Sequence, residues 1–418
     1  MKVSFILISM ISFLCFYNNS NAQGEAAVPF LLLQPSPSLS AMGQTGTVLP
    51  TDDPFGFIWN PAQLGYSSRH NNLSFIFYPS KLEWQPAFNL GLEIKGSAFN
   101  AGYNFKDLIN FPLSVGLGYS YTELNFGEYL RIGESGASLS GSFYSIDYCH
   151  AYSIGFGIDY FVQLNAGITY KAITSILSDP PTQPEIGEGK AEPGVIDFGL
   201  IINVPLLNLV YENLRLELKN DLILKPDFNF SLGYSKSNIG DEVSYVDPDQ
   251  ADPLPRLDRI GYGISTGMDL ISGNFQLNAF NFALTVEADD ILIRNDASGW
   301  EYQSTLSDLR FWKNLINIEG TDNIVSHIGL KFDFFETFTL YTGRFSGRNI
   351  DERKTNGYEI KTSGLFKLWA LWSNDPMTEF ISNHFDIRYY NTTFFADHYF
   401  ETKMTGLAFY VQNLHKLF

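Results

Sequence analysis

Six histidines (His70, His150, His327, His384, His398 and His415) and two cysteines, Cys15 and Cys149, are the side chains best suited to nucleophilic, general-base or metal chemistry. No two histidines stand four apart, the spacing that puts a pair of zinc ligands on one helical face. Asp147, Cys149 and His150 are close in sequence, but successive side chains on a strand point to opposite faces. On a strand His150 would therefore turn away from the other two, so no local nucleophile–base pair is expected. No nucleophile elbow, phosphate-binding loop or calcium loop is expected either. A serine–histidine site on a lipid-facing wall would have to use His384 or His398, and no serine is singled out to join them. The expectation is a protein that is not an enzyme, with no catalytic residue, no bound metal and no cofactor.

The elements around these residues decide what they are for. Met1 to Ala22 has one lysine, an apolar run from Val3 to Phe16 and small residues at Ser20 and Ala22. That order implies a signal peptide, residues 1–22, cut before Gln23. The run is too short to span ~30 Å of hydrocarbon at ~1.5 Å per residue. Removing it leaves Cys149 as the single cysteine, so no internal disulfide can form. The 418 residues carry a net charge of −18, which disfavours nucleic acid as a partner. Phe (36), Gly (35) and Tyr (23) are abundant while charged residues make up 17%, a composition suited to aromatic-coated strands rather than long helices.

Two-residue alternation runs along most of the chain. Leu113, Val115, Leu117, Tyr119 and Tyr121 alternate with Ser114, Gly116, Gly118, Ser120 and Thr122. Further runs open at Leu73, Phe88, Phe99, Tyr144, Val162, Ile196, Phe228, Ile260, Asn278, Ile328, Phe338, Tyr358, His384 and Leu407. One face is apolar and the other small and polar. Many runs approach the ten residues that a tilted membrane crossing needs, with Tyr and Phe at their ends. The reading is an all-β, transmembrane antiparallel β-barrel of about 14 strands, occupying residues 71–418. Glu93, Lys95, Lys171, Asp197, Lys331 and Asp333 would face its lumen, where ion pairs tying wall to plug are the expected use. A soluble secreted β-sandwich used for adhesion shares the alternation and is the weaker alternative.

Three polar stretches, 177–194, 237–258 and 289–323, are too acidic or proline-rich to cross lipid and read as exterior loops. The last is expected to hold a short helix presenting Leu306, Leu309 and Ile316. Residues 27–65 lack alternation and are rich in Gly, Pro and Asp, with one short helix expected around Ser38–Met42. An N-terminal hatch segment, residues 23–70, is expected to plug the lumen.

The stretches Val28-Pro29-Phe30, Ala41-Met42-Gly43, Thr51-Asp52-Asp53 and Trp59-Asn60-Pro61-Ala62 resemble the start of the PorV/PorQ outer-membrane family, which is related to FadL-type transporters of hydrophobic compounds. Leu254-Pro255-Arg256, Glu287 with Asp290, and Gly406-Leu407-Ala408-Phe409 with Asn413-Leu414 also fit. Gln34-Pro35-Ser36-Pro37 and Gln44-Thr45 depart from that family's more glycine-rich run, and the 289–323 loop is long. The resemblance implies a fourteen-stranded barrel with an N-terminal hatch in the cell outer membrane. It also implies either passage of hydrophobic small molecules or a type IX secretion role in which exterior loops bind exported proteins. Outer-membrane lipid is a partner in both. The hatch motif residues are Gly43, Gly46, Asp52, Asp53, Trp59, Asn60 and Pro61. Candidates to line an apolar path are Phe30, Leu31, Leu32, Leu33, Phe55, Phe57 and Ile58.

Overall fold

The computed structural model describes residues 26–132, 139–178, 189–211, 214–218, 222–273, 275–296, 299–373 and 376–414. The expected signal peptide, the acidic residues of 179–188 and His415 lie outside the described residues.

Fourteen strands form a closed ring. The first five are β1 (Leu73–Phe77), β2 (Glu93–Asn104), β3 (Leu113–Ile132), β4 (Leu139–Asp159) and β5 (Gln163–Ile176). Next come β6 (Gly194–Val204), β7 (Ile223–Gly240), β8 (Leu257–Ser272), β9 (Phe275–Ile291) and β10 (Ile324–Phe334). The last four are β11 (Phe338–Gly347), β12 (Ile350–Lys361), β13 (Phe385–Ala396) and β14 (Thr402–Val411). Each strand pairs antiparallel with the next, and β1 closes on β14 from Leu73↔Val411 to Phe77↔Leu407. Closure of the ring excludes the two-sheet sandwich.

Alternation fixes which side faces out. On β6, Ile196, Phe198, Leu200 and Ile202 are exposed while Val195, Asp197, Ile201 and Asn203 are buried. Exposed Leu117, Tyr119, Tyr152, Leu164, Phe228, Leu232, Leu340 and Phe409 continue the outward belt around the ring. A closed ring coated this way satisfies its own backbone hydrogen bonds and presents apolar side chains to acyl chains, as a transmembrane barrel must.

Two runs read separately in the sequence merge. Asn89 and Gly91 adopt left-handed backbone, so the extended chain starts only at Glu93 and the Phe88 and Phe99 runs become the single strand β2. The facing expected for the Phe88 run is thereby reversed. Ile94, paired across to Leu124, points inward, while Lys95 points outward and bonds Glu123 at 2.7 Å. Glu93 pairs with Lys81 at 2.6 Å near the same rim, so neither Glu93 nor Lys95 belongs to the lumen.

The three polar stretches all leave the ring at one end, together with residues 78–92. At the opposite end three connections are tight turns, between β4 and β5, β8 and β9, and β10 and β11, and three are longer, between β2 and β3, β6 and β7, and β12 and β13. The end carrying the polar stretches is the loop end, and the opposite one the turn end. Within the 289–323 stretch lie a hairpin (Ile293–Asp296 with Gly299–Tyr302) and a π-helical turn, Phe311–Ile316. The turn buries Leu315 and leaves Ile316 exposed, while Leu306, with left-handed backbone, and Leu309 both precede it, so the three residues expected on one helical face do not share a helix.

The N-terminal segment makes one circuit of the inner wall, against the order of the strands. It carries three short helices, α1 (Pro37–Ala41), α2 (Gly56–Trp59) and α3 (Gln63–Ser67). The Pro37 carbonyl accepts from Thr392 Oγ1 on β13, and the Ala41 carbonyl from Thr355 Oγ1 on β12. Gly43 packs on Gly343 of β11, and Thr47 on Gly233 of β7. Asn60 meets Gly199 of β6, Pro61 meets Gly167 of β5, Leu64 meets Gly155 of β4, and Ser68 meets Gly116 of β3 and Gly102 of β2. Inward glycines thus recur where this backbone touches the wall, because a side chain there would occupy the same space.

Candidate functional site

The seven motif residues are distributed along this circuit rather than gathered at one point, and each joins the segment to itself or to the wall. Gly43 has φ 74°, and a Cβ there would lie 2.7 Å from the Ile328 carbonyl oxygen, so both conformation and space favour glycine. Its N–H donates to Thr355 Oγ1 at 2.8 Å, and its carbonyl lies 2.7 Å from His327 Nδ1. The other His327 nitrogen is 2.8 Å from Asp289 Oδ2, which Arg259 also contacts at 2.8 Å. Gly46, Thr47 and Val48 donate their N–H groups to one oxygen of Glu287, at 2.9, 2.9 and 3.2 Å. Trp59 lies under the Arg259 guanidinium, 4.0 Å from ring centre to Cζ. Asn60 Nδ2 donates to the Thr47 carbonyl at 2.7 Å, and its Oδ1 accepts from Ala62 N at 3.0 Å, so one side chain ties two turns of the segment together.

Asp52 and Asp53 are adjacent but sit in opposite electrostatic settings. Burial opposes ionisation of Asp52, yet Arg388 on β13 grips both its oxygens at 3.1 and 2.8 Å and holds the carboxyl well below the usual range. Asp53 has no cation beside it. Burial pushes its carboxyl up, and hydrogen bonds from Ser38 Oγ, Ser36 Oγ and Phe55 N only partly offset that.

Of the apolar candidates, Phe30, Leu31, Leu33 and Ile58 line a cavity of about 40 Å³ near the loop end. Leu32, Phe55 and Phe57 do not. Phe55 is fully buried beside the Tyr78 ring at 5.8 Å, and Phe57 fills the space over Gly118. The far side of the cavity is wall, mainly apolar with Tyr78, Trp84, Ile94, Leu124, Cys149 and Met404, and polar at Ser120, Thr122, Glu123 and Lys171. Sequence reading did not pick out these wall residues. A usable signal was the Leu73 run, which breaks at Pro79 and so stops short of a full crossing.

At that point the wall is thin. β1 has five residues and pairs only with positions 97–101 of β2 and 407–411 of β14. Above Phe77 the chain continues as Tyr78 to Gln85, of which Leu82 and Glu83 pair with β2. Toward β14 this stretch is held by side chains: Ser80 Oγ to Thr405 Oγ1 at 3.1 Å, and Gln85 N to Thr402 Oγ1 at 2.9 Å. Trp84 packs tilted against Phe394 at 5.2 Å, and the Tyr78 hydroxyl donates to the Pro35 carbonyl. The cavity and this seam therefore share Tyr78 and Trp84.

A second cavity of about 540 Å³ lies at the turn end and is polar, lined by Asp52, Asp227, Asn229, Asp269, Lys331 and Asp333 among others. The two cavities have no lining residue in common. Lys331 and Asp333 thus face inward as expected, and Lys171 pairs with Asp197 across β5 and β6 at 2.7 Å, both buried. Asp333 bonds Lys361, also on the wall, so these two ion pairs join strand to strand. The bonds from wall to N-terminal segment include those of Arg388, Glu287, Arg259, His327, Thr355, Thr392 and Ser114.

Cys149 is buried facing inward, whereas His150 points outward to the Tyr119 hydroxyl at 3.0 Å, the opposite facing that alternation requires. Gly263-Ile264-Ser265-Thr266-Gly267 spells the nucleophile-elbow pattern that sequence reading passed over. It lies mid-strand in β8, without the strand–turn–helix bend that would expose Ser265. His384 Nδ1 bonds its own helix at the Phe380 carbonyl, and His398 Nδ1 accepts from Phe400 N.

The sequence matches no protein-family model and no curated protein sequence. Among solved structures, the Pseudomonas putida toluene transporter TodX aligns over 90% of this chain and 96% of its own, at 12% identity and a TM-score of 0.38. The Ralstonia pickettii toluene transporter TbuX aligns over 90% and 98%, at 10% identity and a TM-score of 0.31. A Pseudomonas aeruginosa FadL homologue aligns over 90% and 96%, at 7% identity and a TM-score of 0.31. Scores this low carry no weight for function, and the closed ring stands on its own strand register.

Proposed function

We propose that this barrel passes uncharged hydrophobic solutes from outside the cell into the outer membrane, with residues 27–65 serving as a hatch that denies the same route to water and ions. The observation that carries the reading is the apolar cavity at the loop end, which abuts the one part of the wall held to β14 by side chains instead of a backbone ladder. At about 40 Å³ the cavity is far below the ~300 Å³ at which small-molecule sites begin. Passage therefore requires Phe30 to Pro35, or Tyr78 to Gln85, to move. The second stretch is the easier to displace, since few backbone bonds restrain it. The quoted N-terminal segments support the finer assignment to the PorV/PorQ branch of FadL-like barrels.

Locking the seam tests the proposal. A Ser80→Cys, Thr405→Cys pair replaces two hydroxyls that already touch, so a disulfide can form with little backbone movement. The oxidised protein is expected to lose most of its uptake of an uncharged aromatic dye in proteoliposomes, and a reductant should restore it. Equal uptake by locked and open protein would sink the reading. Capture of an exported protein by the locked barrel, with no dye transport by the open one, would favour the secretion role instead.

A further inference from the structure

Between β12 and β13 the turn end carries a helical hairpin, α4 (Thr362–Ser373) and α5 (Pro376–His384). Its attachment to the barrel is specific. Asp386 Oδ1 accepts from the N–H groups of Thr362 and Ser363 at 3.1 and 2.9 Å, capping the start of α4. Gly364 N donates to the Glu336 carbonyl at 3.1 Å, and a Cβ on Gly364 would lie 2.2 Å from the Phe335 carbonyl oxygen. Lys367 closes the attachment by pairing with Glu336 at 2.5 Å. The hairpin is thus pinned along the rim beneath β10 and β11.

So pinned, it leaves apolar side chains uncovered. Leu365 and Trp369, one turn apart on α4, are 53% and 60% exposed, and Met377 and Phe380 on α5 are 63% and 43% exposed. The only charged residue of α4 is Lys367, and it is already bound to the barrel. This surface adjoins the outward-facing girdle at the same rim, where Phe334, Phe335, Phe338, Ile360 and Phe385 are also exposed. An apolar helix face that continues a lipid-facing belt at the level of its aromatic girdle has the chemistry of an interfacial helix.

We propose that α4 and α5 lie in the phospholipid headgroup region of the periplasmic leaflet, with Leu365, Trp369, Met377 and Phe380 inserted, as a monotopic anchor attached to the barrel. The proposal rests on the membrane-spanning reading of the ring, and the test separates the two. Full-length protein with Cys149→Ala is reconstituted in phosphatidylethanolamine–phosphatidylglycerol vesicles. A fluorescent thiol label is placed by Trp369→Cys, Glu379→Cys or Leu200→Cys. Quenching is read with shallow and deep doxyl lipids and with aqueous iodide. The label at 369 is expected to be quenched several-fold more by shallow doxyl lipid than the label at 379, and to be largely shielded from iodide. The label at 200 should respond to deep doxyl lipid. Iodide reaching 369 as readily as 379, with 200 still deeply quenched, would overturn the anchor and leave the barrel intact. Shielding of 369 from iodide and lipid alike would also overturn it, in favour of a protein–protein contact. Failure at 200 would instead remove the membrane reading on which the proposal rests.

Discussion

At the scale of single residues, neighbours with the same side chain behave differently because of what each one meets. Asp52 meets a guanidinium and stays ionised. Asp53 meets two serine hydroxyls and one N–H, which do not compensate for its burial. A carboxyl raised by folding favours the folded state while protonated. Asp53's contribution is therefore fully present below about pH 4 and is lost as pH rises through its folded value. Asp52, held low, contributes above about pH 4 and loses that contribution only as pH falls further. Of the two, Asp53 is thus the one whose titration lowers stability as pH rises above about pH 4. Asp53→Asn should flatten the fall in urea-unfolding midpoint between acid and neutral pH, with most of the change at the neutral end. An unchanged slope in that variant would show that the carboxyl titrates normally. None of this was legible in the sequence. Thr51-Asp52-Asp53 marked the place, but Arg388 is 336 residues away along the chain and only folding brings the two together.

At the scale of elements, the strands were legible because alternation is local. Each run reports its own two faces, and that was enough for the apolar belt, the facing of Cys149 against His150, and nearly all the strands. It failed where the chain stops being extended. Asn89 and Gly91 turn left-handed, so the pattern read through them assigned Ile94 and Lys95 to the wrong sides. The inward glycines were visible as a small face, but not as sockets for particular residues. Gly167 shows what such a socket requires: a Cβ there would sit 2.4 Å from the Pro61 carbonyl oxygen, a backbone atom that cannot swing aside. Gly167→Val should therefore push the Asn60–Pro61 turn off the wall, at a cost of about 1–3 kcal/mol typical of overpacking. Faster proteolytic cleavage within residues 27–65, with the barrel still migrating as a folded species in unheated detergent gels, is the expected result. An unaltered cleavage rate would mean that the turn is not seated on β5 as described.

At the scale of the whole molecule, the fourteen-stranded ring and the N-terminal segment depend on each other. A ring of this size falls between eight-stranded barrels, whose interiors side chains can fill, and sixteen-stranded porins with open channels. Its interior needs a filling that the wall's small inward residues do not supply. The segment provides it by winding once round the ring, and it in turn receives partners for backbone groups that no regular structure would satisfy. Glu287, Arg259, His327 and Arg388 are among the wall's share of that exchange, and without the segment each would face an emptied lumen. Water entering that lumen would solvate them, so loss of the segment should weaken the barrel without collapsing it. The mainly apolar cavity at the loop end and the polar one at the turn end share no lining residue. Intact protein in planar bilayers is accordingly expected to show no steady ion current, even while it admits apolar dye. A chain lacking residues 27–65 should conduct ions once folded, and unfold at lower urea than the intact barrel. Steady conductance from the intact chain, comparable to that of the truncated one, would mean that the segment does not seal the ring.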